Sequence, residues 1–554
     1  MPEPFNNIEY DIVIIGAGIS GLTAGAIAGK FGLKCCILEK EPNPGGYLAG
    51  FIRDGFKIDT AIHWLNQCNK HEMAGRIFNL IGADSPELKI MQKIYRFKGD
   101  SYDYLLTKNP DELKEKLISD FPHEKKGIEK FYHSAKKIAQ GSIQYAKLFR
   151  TEESMSFPEK IIFKLRLLKF VLPLIKYIFF SGEKGVTKGL NLFFKDKNLH
   201  KLYHSEKDLL SCLFPIAWAY IEGYQIPAKG GASVFIQWLT YVNNFYKNDL
   251  ILNAEVKNLK INNKVCESVH FQQNGNQYEL RSKYIISTND LESLYTKMLP
   301  EETIPQKFKN KLENAVLYSS ALTVSIAIDC PAEDLRIHQE LICISKENIA
   351  RDDHDGGDPQ LSDISILSPS ARDKSLIPTG KGLITLYMPA YIDYKNYWLT
   401  EKDSDVHFIR TDNYYNLKQE IAEILIQRVE EKLSIDIKSH ILFLDVSTPI
   451  TYLRYTGNKN GTMMGARPGK ENMKAGIAHH QTPVKNLILG GHWADLGGGV
   501  PICAKSAANA VLLLLKKENK QSFRLLANYM DGKITIDQLN NSSFVKPYNN
   551  SWTN

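Results

Sequence analysis

The 554-residue chain lacks most of the patterns that declare a chemistry on their own. Its eight cysteines, at 35, 36, 68, 212, 266, 330, 343 and 503, form no C-x-x-C pair. That argues against a zinc cluster or a dithiol motif, and it suits a reducing compartment. No unbroken run of 18 apolar residues occurs, so no spanning helix is expected. Met1 to Asn7 is polar, so no secretory leader is expected and the expected location is cytoplasmic. Neither a Ser/His/Asp arrangement nor a paired-carboxylate site is evident. The net charge of +7 is small for this length and no nucleic-acid motif accompanies it, although it is compatible with an anionic membrane surface. With 43% hydrophobic and 24% charged residues the composition is that of an ordinary globular protein, long enough for two or three domains.

What the chain does have begins at Tyr10. The apolar run Ile12 to Ile15 enters Gly16-Ala-Gly18-Ile-Ser-Gly21, a G-x-G-x-x-G turn. Gly16 permits the tight turn, Gly18 lets the backbone approach a pyrophosphate, and Gly21 lets the next helix pack closely on the strand. That helix would aim its positive N-terminus at the phosphates. A second strand, Lys34 to Glu39, ends in an acid 18 residues after Gly21, near the ~20 expected for an acid on a ribose hydroxyl. Strand, glycine turn, helix, strand and acid in that order predict a dinucleotide site. There is one such fingerprint, so no separate nicotinamide domain is expected.

Two further glycine turns follow. Gly45-Gly46-Tyr47 precedes Phe51, Asp54-Gly-Phe56, Asp59 and His63. Near the far end, Asn486 to Gly491 leads through His492-Trp493-Ala-Asp495 to Gly497-Gly-Gly499-Val500-Pro501 and a helix to Leu515. Between them stands Pro227-Ala-Lys-Gly230-Gly231 before a long helix, and a strand over Lys283–Asp290 that would return to the dinucleotide sheet. Asn274-Gly275 between alternating segments predicts a hairpin.

This order of motifs resembles the flavoprotein group of carotenoid desaturases, carotenoid isomerases and retinol saturases. Gly-Gly-Tyr at the second turn, where flavin amine oxidases usually carry Gly-Gly-Arg, is closer to the isomerase and saturase branch. The resemblance implies an α/β fold: a Rossmann-like FAD-binding domain of the GR2, amine oxidase-like type, assembled from 1–66, 223–300 and 481–520. A mixed sheet-and-helix substrate domain would come from 67–222 and 301–480, with a polar tail over 521–554. It implies FAD as cofactor, held by Gly16, Gly18, Ser20, Gly21, Glu39, Lys40, Gly45, Gly46, Tyr47, His63, Val256, Asn289, Gly491, His492, Gly498, Gly499 and Val500. His63 is the candidate catalytic side chain, with a structural histidine weighed equally. No metal is expected, and the acidic loop Arg351–Asp358 lacks calcium-loop spacing and reads as solvated.

His492 departs from the aspartate that many relatives carry after the third strand's glycines; either Asp495 compensates or the contact is lost. Tyr220, Glu222 and Tyr224 face either the substrate or the core. The implied activity is saturation, isomerisation or desaturation of a long apolar polyene, a carotenoid or retinoid, with a nicotinamide, a quinone or oxygen as electron partner. The alternatives are an amine oxidase-like enzyme with a polar substrate and a non-catalytic prenyl-lipid carrier of the same fold. An apolar substrate also implies peripheral membrane contact. Lys160 to Phe180, with five cations and no acid, spaces apolar residues at 161, 165, 168, 172, 175 and 179 as one helical face. That face is expected to be core for one part and membrane-docked for the rest, with a kink at Pro173.

Overall fold

Strand Tyr10–Ile15 is apolar from Ile12 onward because layers cover that part on both sides. In the computed structural model, which describes residues 9–61, 64–403 and 407–553, it is the centre of a five-stranded parallel sheet. The order is Leu487–Leu489, Ser282–Ser287, Tyr10–Ile15, Cys35–Leu38 and Asp249–Ile251. Alternate residues go to different layers, as the period of two requires. Ile12, Ile14, Cys35 and Ile37 face helices Ile19–Lys30, Val234–Phe245 and Gly499–Glu518. Val13, Ile15, Cys36 and Leu38 face a smaller antiparallel sheet carrying Val256, Val269 and Phe271. The hairpin between Val265–Gln273 and Asn276–Leu280 turns at Asn274-Gly275, both with positive φ, in the register Gln273↔Asn276.

A seven-stranded sheet lies beyond, in the order Ile441–Ser447, Ser320–Ile328, Gly382–Ala390, Ile364–Leu367, Leu341–Ile344, Lys93–Lys98 and Asp103–Thr107. One face is wholly aliphatic: Leu322, Val324, Ile342, Ile364, Ile384 and Leu386 pack on helix Asp412–Leu433. The other carries Thr323, Ser325, Cys343, Ser365, Thr385 and Tyr387 and looks toward a helical unit. That unit is built on Lys125–Tyr145 and Leu209–Ala219, with Trp64, Tyr95, Phe97, Phe214 and Trp218 at its partly buried margin.

Three expectations are corrected. The segment from 521 onward is no mere polar tail: Lys520–Met530 and Ile536–Asn540 are helices, and Leu526, Met530 and Leu539 enter the core beside the first helix. The Arg351–Asp355 turn is not solvated throughout, since His354 is buried on Asp363 at 2.7 Å. Helix Phe157–Ile178 runs on through Pro173, and it packs through Leu174 and Tyr177. The face 161, 165, 168, 172, 175 and 179 points outward instead, with Leu165 59% and Phe179 77% exposed, so no part of it is core. Helix Gly499–Glu518 has the length and mean hydropathy to cross a membrane, but its Ala504–Leu515 stretch is interior to the dinucleotide layer.

The tightest approach joins helix Ile19–Lys30 to its strand: a Cβ on Gly21 would lie 1.9 Å from the Gly16 carbonyl oxygen. Backbone cannot yield as a flexible side chain does, so Gly21→Ala should destabilise by about 3 kcal/mol or more. Urea unfolding checks this, and an unchanged midpoint would refute the packing argument.

Candidate functional site

The first two glycine turns are stacked on one another. Gly16 has φ +98° and donates to the Leu38 carbonyl at 2.8 Å, while Gly45 donates to the Ala17 carbonyl at 2.9 Å. Gly18 and Gly45 form a parallel bridge, and a Cβ on Gly46 would stand 3.6 Å from the Gly18 Cα. A Cβ on Gly18 itself would meet nothing within 4 Å. The space before the N-terminus of helix Ile19–Lys30 is therefore clear, where free N–H groups and the helix dipole favour an anion.

Glu39 closes its strand beside this space. Its Oε2 accepts from the Ala17 N–H at 2.8 Å and its Oε1 from the Glu41 N–H at 3.0 Å. Burial pushes the carboxyl above the usual range, and the Glu41 and Ala17 donors oppose the shift. Ala254 donates to the Glu39 carbonyl at 2.7 Å, which sets buried Val256 close to the acid. Ser20 is buried in the first helical turn. The Lys40 ammonium turns away to the Arg454 carbonyl at 2.7 Å. Tyr47 donates to the Thr462 carbonyl at 2.5 Å and lies 6.1 Å from the Tyr452 ring.

The third turn is tied to the first through a residue that motif reading missed. Thr288 follows strand Ser282–Ser287, and its hydroxyl donates to the carbonyls of Ile15 at 2.8 Å and Gly16 at 3.2 Å. A Cβ on Gly491 would meet the Thr288 carbonyl oxygen at 2.8 Å. Asn289 accepts from the Ser287 hydroxyl at 2.5 Å. His492 packs on Gly465, whose Cβ would come within 2.6 Å of the ring, and its Nε2 is buried with no partner among the described residues. Burial pushes this imidazole down to about 4. Gly498 packs on Met464, and Gly499, with φ +77°, and buried Val500 open the following helix. Asp495 is committed to Lys505 at 2.5 Å, because that buried ammonium needs a counter-charge.

Asp59 shows a second missed contact. Its Oδ2 accepts from the Ala232 N–H at 3.0 Å, and Gly230 donates to Asp373 at 2.6 Å. Two carboxylates thus hold the Gly230-Gly231 turn, and a Cβ on Gly231 would strike the Asp59 oxygens at 2.8 and 2.9 Å. Burial pushes Asp59 up to about 6. A cleft opens beside it, lined by Thr60, Trp64, Thr323, Leu367 and Thr385, and it adjoins the second glycine turn through the Thr60 hydroxyl, which donates to the Tyr47 and Ala49 carbonyls. His63 lies outside the described residues. Tyr220 donates to Asp111 at 2.7 Å, Tyr224 is core against Trp64, and Glu222 takes a left-handed turn position. None of these three lines the cleft. Elsewhere Asp329, Cys330 and His440 bring ligand-type atoms within 4.8 Å of one another, where the His440–Asp329 pair at 2.7 Å accounts for them.

Comparison with known proteins places this geometry. Residues 14–80 match the family model described as an NAD(P)-binding Rossmann-like domain. The chain is 23% identical to all-trans-retinol 13,14-reductase of Danio rerio over 95% of its own length and 89% of the relative's. It is 23% identical to the prolycopene isomerase of Daucus carota over 89% and 78% of the two chains. With a 4,4'-diapophytoene desaturase of Staphylococcus aureus it shares 24% over 91% and 98%. Over most of its length the chain is thus similar to carotenoid desaturases, carotenoid isomerases and retinol reductases. Its fold also matches the cyclohexylamine oxidase of Brevibacterium oxydans, with a TM-score of 0.55 at 11% identity over 93% of this chain and 100% of that one. The architecture is Rossmann-like and amine oxidase-like, and the residues at the three turns fit a flavin-type dinucleotide. Glu39 offers a carboxylate beside an anion-ready helix end, and Gly18 keeps the approach free of side chains.

The His492 environment fixes a pH dependence. Its imidazole is neutral down to about 4 in the fold and protonates near 6.5 when unfolded. Between these values the unfolded state binds more protons, so stability is full above 6.5 and falls as pH drops toward 4. From pH 7.5 to 5 this group should account for up to about 2 kcal/mol. Urea unfolding of wild type and His492→Phe at both pH values measures it, and identical pH slopes would contradict it.

Proposed function

We propose that the chain is an FAD-dependent oxidoreductase acting on a long apolar polyene of carotenoid or retinoid type. The observation that carries this reading is the convergence of three glycine turns and Glu39 beside a cleft between a sheet and an aromatic-rimmed helical unit. The names of the three relatives, a retinol reductase, a carotenoid isomerase and a desaturase, support the substrate class. The Gly-Gly-Tyr turn inclines the reading toward saturation or isomerisation.

FAD, when bound, supplies hydride chemistry that needs few acidic or basic side chains. The chain's own residues bind, orient and exclude water. Glu39 would hold the ribose hydroxyls, and the clear face of Gly18 admits the pyrophosphate to the N–H groups of helix Ile19–Lys30. The start of helix Gly499–Glu518 offers a second positive end, where negative charge would be stabilised. His492 is neutral there and adds no fixed charge. Trp64, Thr323 and Leu367 shape the cleft that receives the substrate.

The outward face of helix Phe157–Ile178 supports contact with an anionic bilayer, the phase in which such substrates dissolve. Leu165, Leu168, Leu172 and Phe179 would enter the interface, and Lys160, Lys164, Arg166 and Lys169 would meet phospholipid headgroups.

Two outcomes are expected. Glu39→Ala should weaken FAD binding by ~1.5–3 kcal/mol through loss of charged hydrogen bonds, read as flavin retained after dialysis; wild-type retention would remove Glu39 from the site. Replacing Lys164, Arg166 and Lys169 with glutamine should reduce sedimentation with phosphatidylserine-containing liposomes, and undiminished sedimentation would sink the docking assignment. The activity itself is tested by an anaerobic absorbance spectrum with added polyene, with and without dithionite. Polyene peaks that shift only after reduction support saturation or isomerisation, and bleaching of oxidised flavin by the polyene indicates desaturation. A flavin spectrum indifferent to every polyene favours an amine oxidase-like enzyme, and absence of flavin favours a lipid carrier.

A further inference from the structure

A buried polar nitrogen that bonds nothing has lost its hydration for no return, so those that persist in a fold mark a water or an ion. Two of them belong to neighbouring imidazoles outside the lining of the cleft. Nδ1 of His204 and Nε2 of His354 are both buried and have no partner among the described residues. The two rings stand 5.7 Å apart between centroids, with their planes at 51°, and His354 is only 1% exposed.

Each ring is held from a different part of the fold. His354 lies in the Arg351–Asp355 turn, and Asp363, the residue before strand Ile364–Leu367, pairs with its Nδ1 at 2.7 Å. That carboxylate is itself fixed. The Asp363 N–H donates to the His354 carbonyl at 2.8 Å, and the Cys343 thiol donates to Oδ2 at 3.8 Å. His204 belongs to the helical unit, in the connection between Lys197–Lys201 and Leu209–Ala219. Arg351 clamps this connection by donating to the carbonyls of Tyr203 and Glu206, on either side of His204, each at 2.6 Å. Those two N–H···O bonds come from one terminal nitrogen, so the guanidinium is turned to the backbone.

The arrangement is that of a metal ligand with its supporting shell. A carboxylate that takes one ring N–H of a histidine sets the tautomer and leaves the lone pair on the other nitrogen, which is how metal-bound histidines are oriented. Two imidazoles sharing one ion through Zn–N bonds of ~2.0–2.1 Å have centroids roughly 5–6.5 Å apart, and this pair falls inside that range. Imidazole suits zinc, copper and nickel, whereas calcium and magnesium take oxygen ligands. His204 is half-buried, which leaves an ion a way in from its side.

We propose that His204 and His354 bind a divalent transition-metal ion of the zinc type, with water completing its coordination. The ion bridges the helical unit to the seven-stranded sheet, through His204 on one and the Asp363-oriented His354 on the other. Two protein ligands give a modest affinity, so this is an ion taken up by the folded protein rather than one needed for folding. The sequence predicted no metal because the two histidines share no motif and meet only in the fold.

The test is zinc binding to the full-length protein after removal of metal with EDTA, followed by titration calorimetry and by thermal unfolding. Wild type should take up zinc and unfold at a higher temperature with it. His204→Phe keeps a ring and removes an orphaned nitrogen, so it should abolish the zinc shift without lowering the midpoint of the metal-free protein. Asp363→Asn leaves both ligands in place and should weaken binding about tenfold or more. His440→Ala, at the Asp329–Cys330–His440 group, should leave the shift intact. No zinc uptake by wild type would assign the two nitrogens to a buried water and overturn the site. Uptake undiminished in His204→Phe, or lost in His440→Ala, would overturn it as well.

Discussion

Everything at the dinucleotide end depends on backbone meeting backbone. Gly21 has no room for a Cβ against Gly16, Gly16 has none against the Thr288 hydroxyl, and Gly491 has none against the Thr288 carbonyl. These contacts draw three strand ends from distant parts of the chain onto one point. Once they are there, the N-termini of helices Ile19–Lys30 and Gly499–Glu518 open toward the same space. Two helix ends at one place create a positive field without a single lysine, and so an anionic ligand is favoured by the fold itself. The Glu39 carboxylate, ordered by the Ala17 and Glu41 N–H groups, stands beside that space.

The second sheet divides its labour between two faces. The aliphatic face on helix Asp412–Leu433 supplies hydrophobic stabilisation, while the face with Thr323, Ser365, Thr385 and Tyr387 gives some of that up. Hydroxyls in an enclosed wall need partners, and neighbours provide some of them, as Tyr452 does for Thr323. A surface of this kind is poor core and good recognition. It lines the cleft that adjoins the second glycine turn.

The glycine turns, Glu39 and the Asn274-Gly275 hairpin were legible in the sequence because each is a local backbone demand that few residues meet. So was the parallel sheet, from unbroken apolar runs such as Ile12–Ile15. Contacts between distant segments were not. Nothing near Asp59 in the chain tells that it accepts from Ala232, 173 residues on. Asp495 looked free to replace a missing carboxylate until Lys505, one helical stretch later, was seen to claim it. Thr288 sits in no recognisable motif, and its role follows only from the strand that brings it beneath Gly16. The loop around His354 read as solvated because its composition is acidic, yet Arg351 and His354 turn inward to hold two other segments.

Helix Phe157–Ile178 shows why periodicity alone could not settle a location. The spacing of Ile161, Leu165, Leu168, Leu172, Ile175 and Phe179 fixes that these side chains share a face, but a core and a bilayer ask for the same face. What separates the two is where the helix attaches. Here Leu174 and Tyr177 attach it, and Tyr177 donates to Ser134 at 2.8 Å, while Glu159 bonds Arg150 and caps the helix start at Ser156. Those contacts use the opposite side and leave the apolar face outward, flanked by cations with no acid after Glu159. Leaving so many large apolar side chains in water costs solubility and gains nothing in fold stability. The arrangement makes physical sense when that face is covered, which is what the bilayer contact proposed above would do.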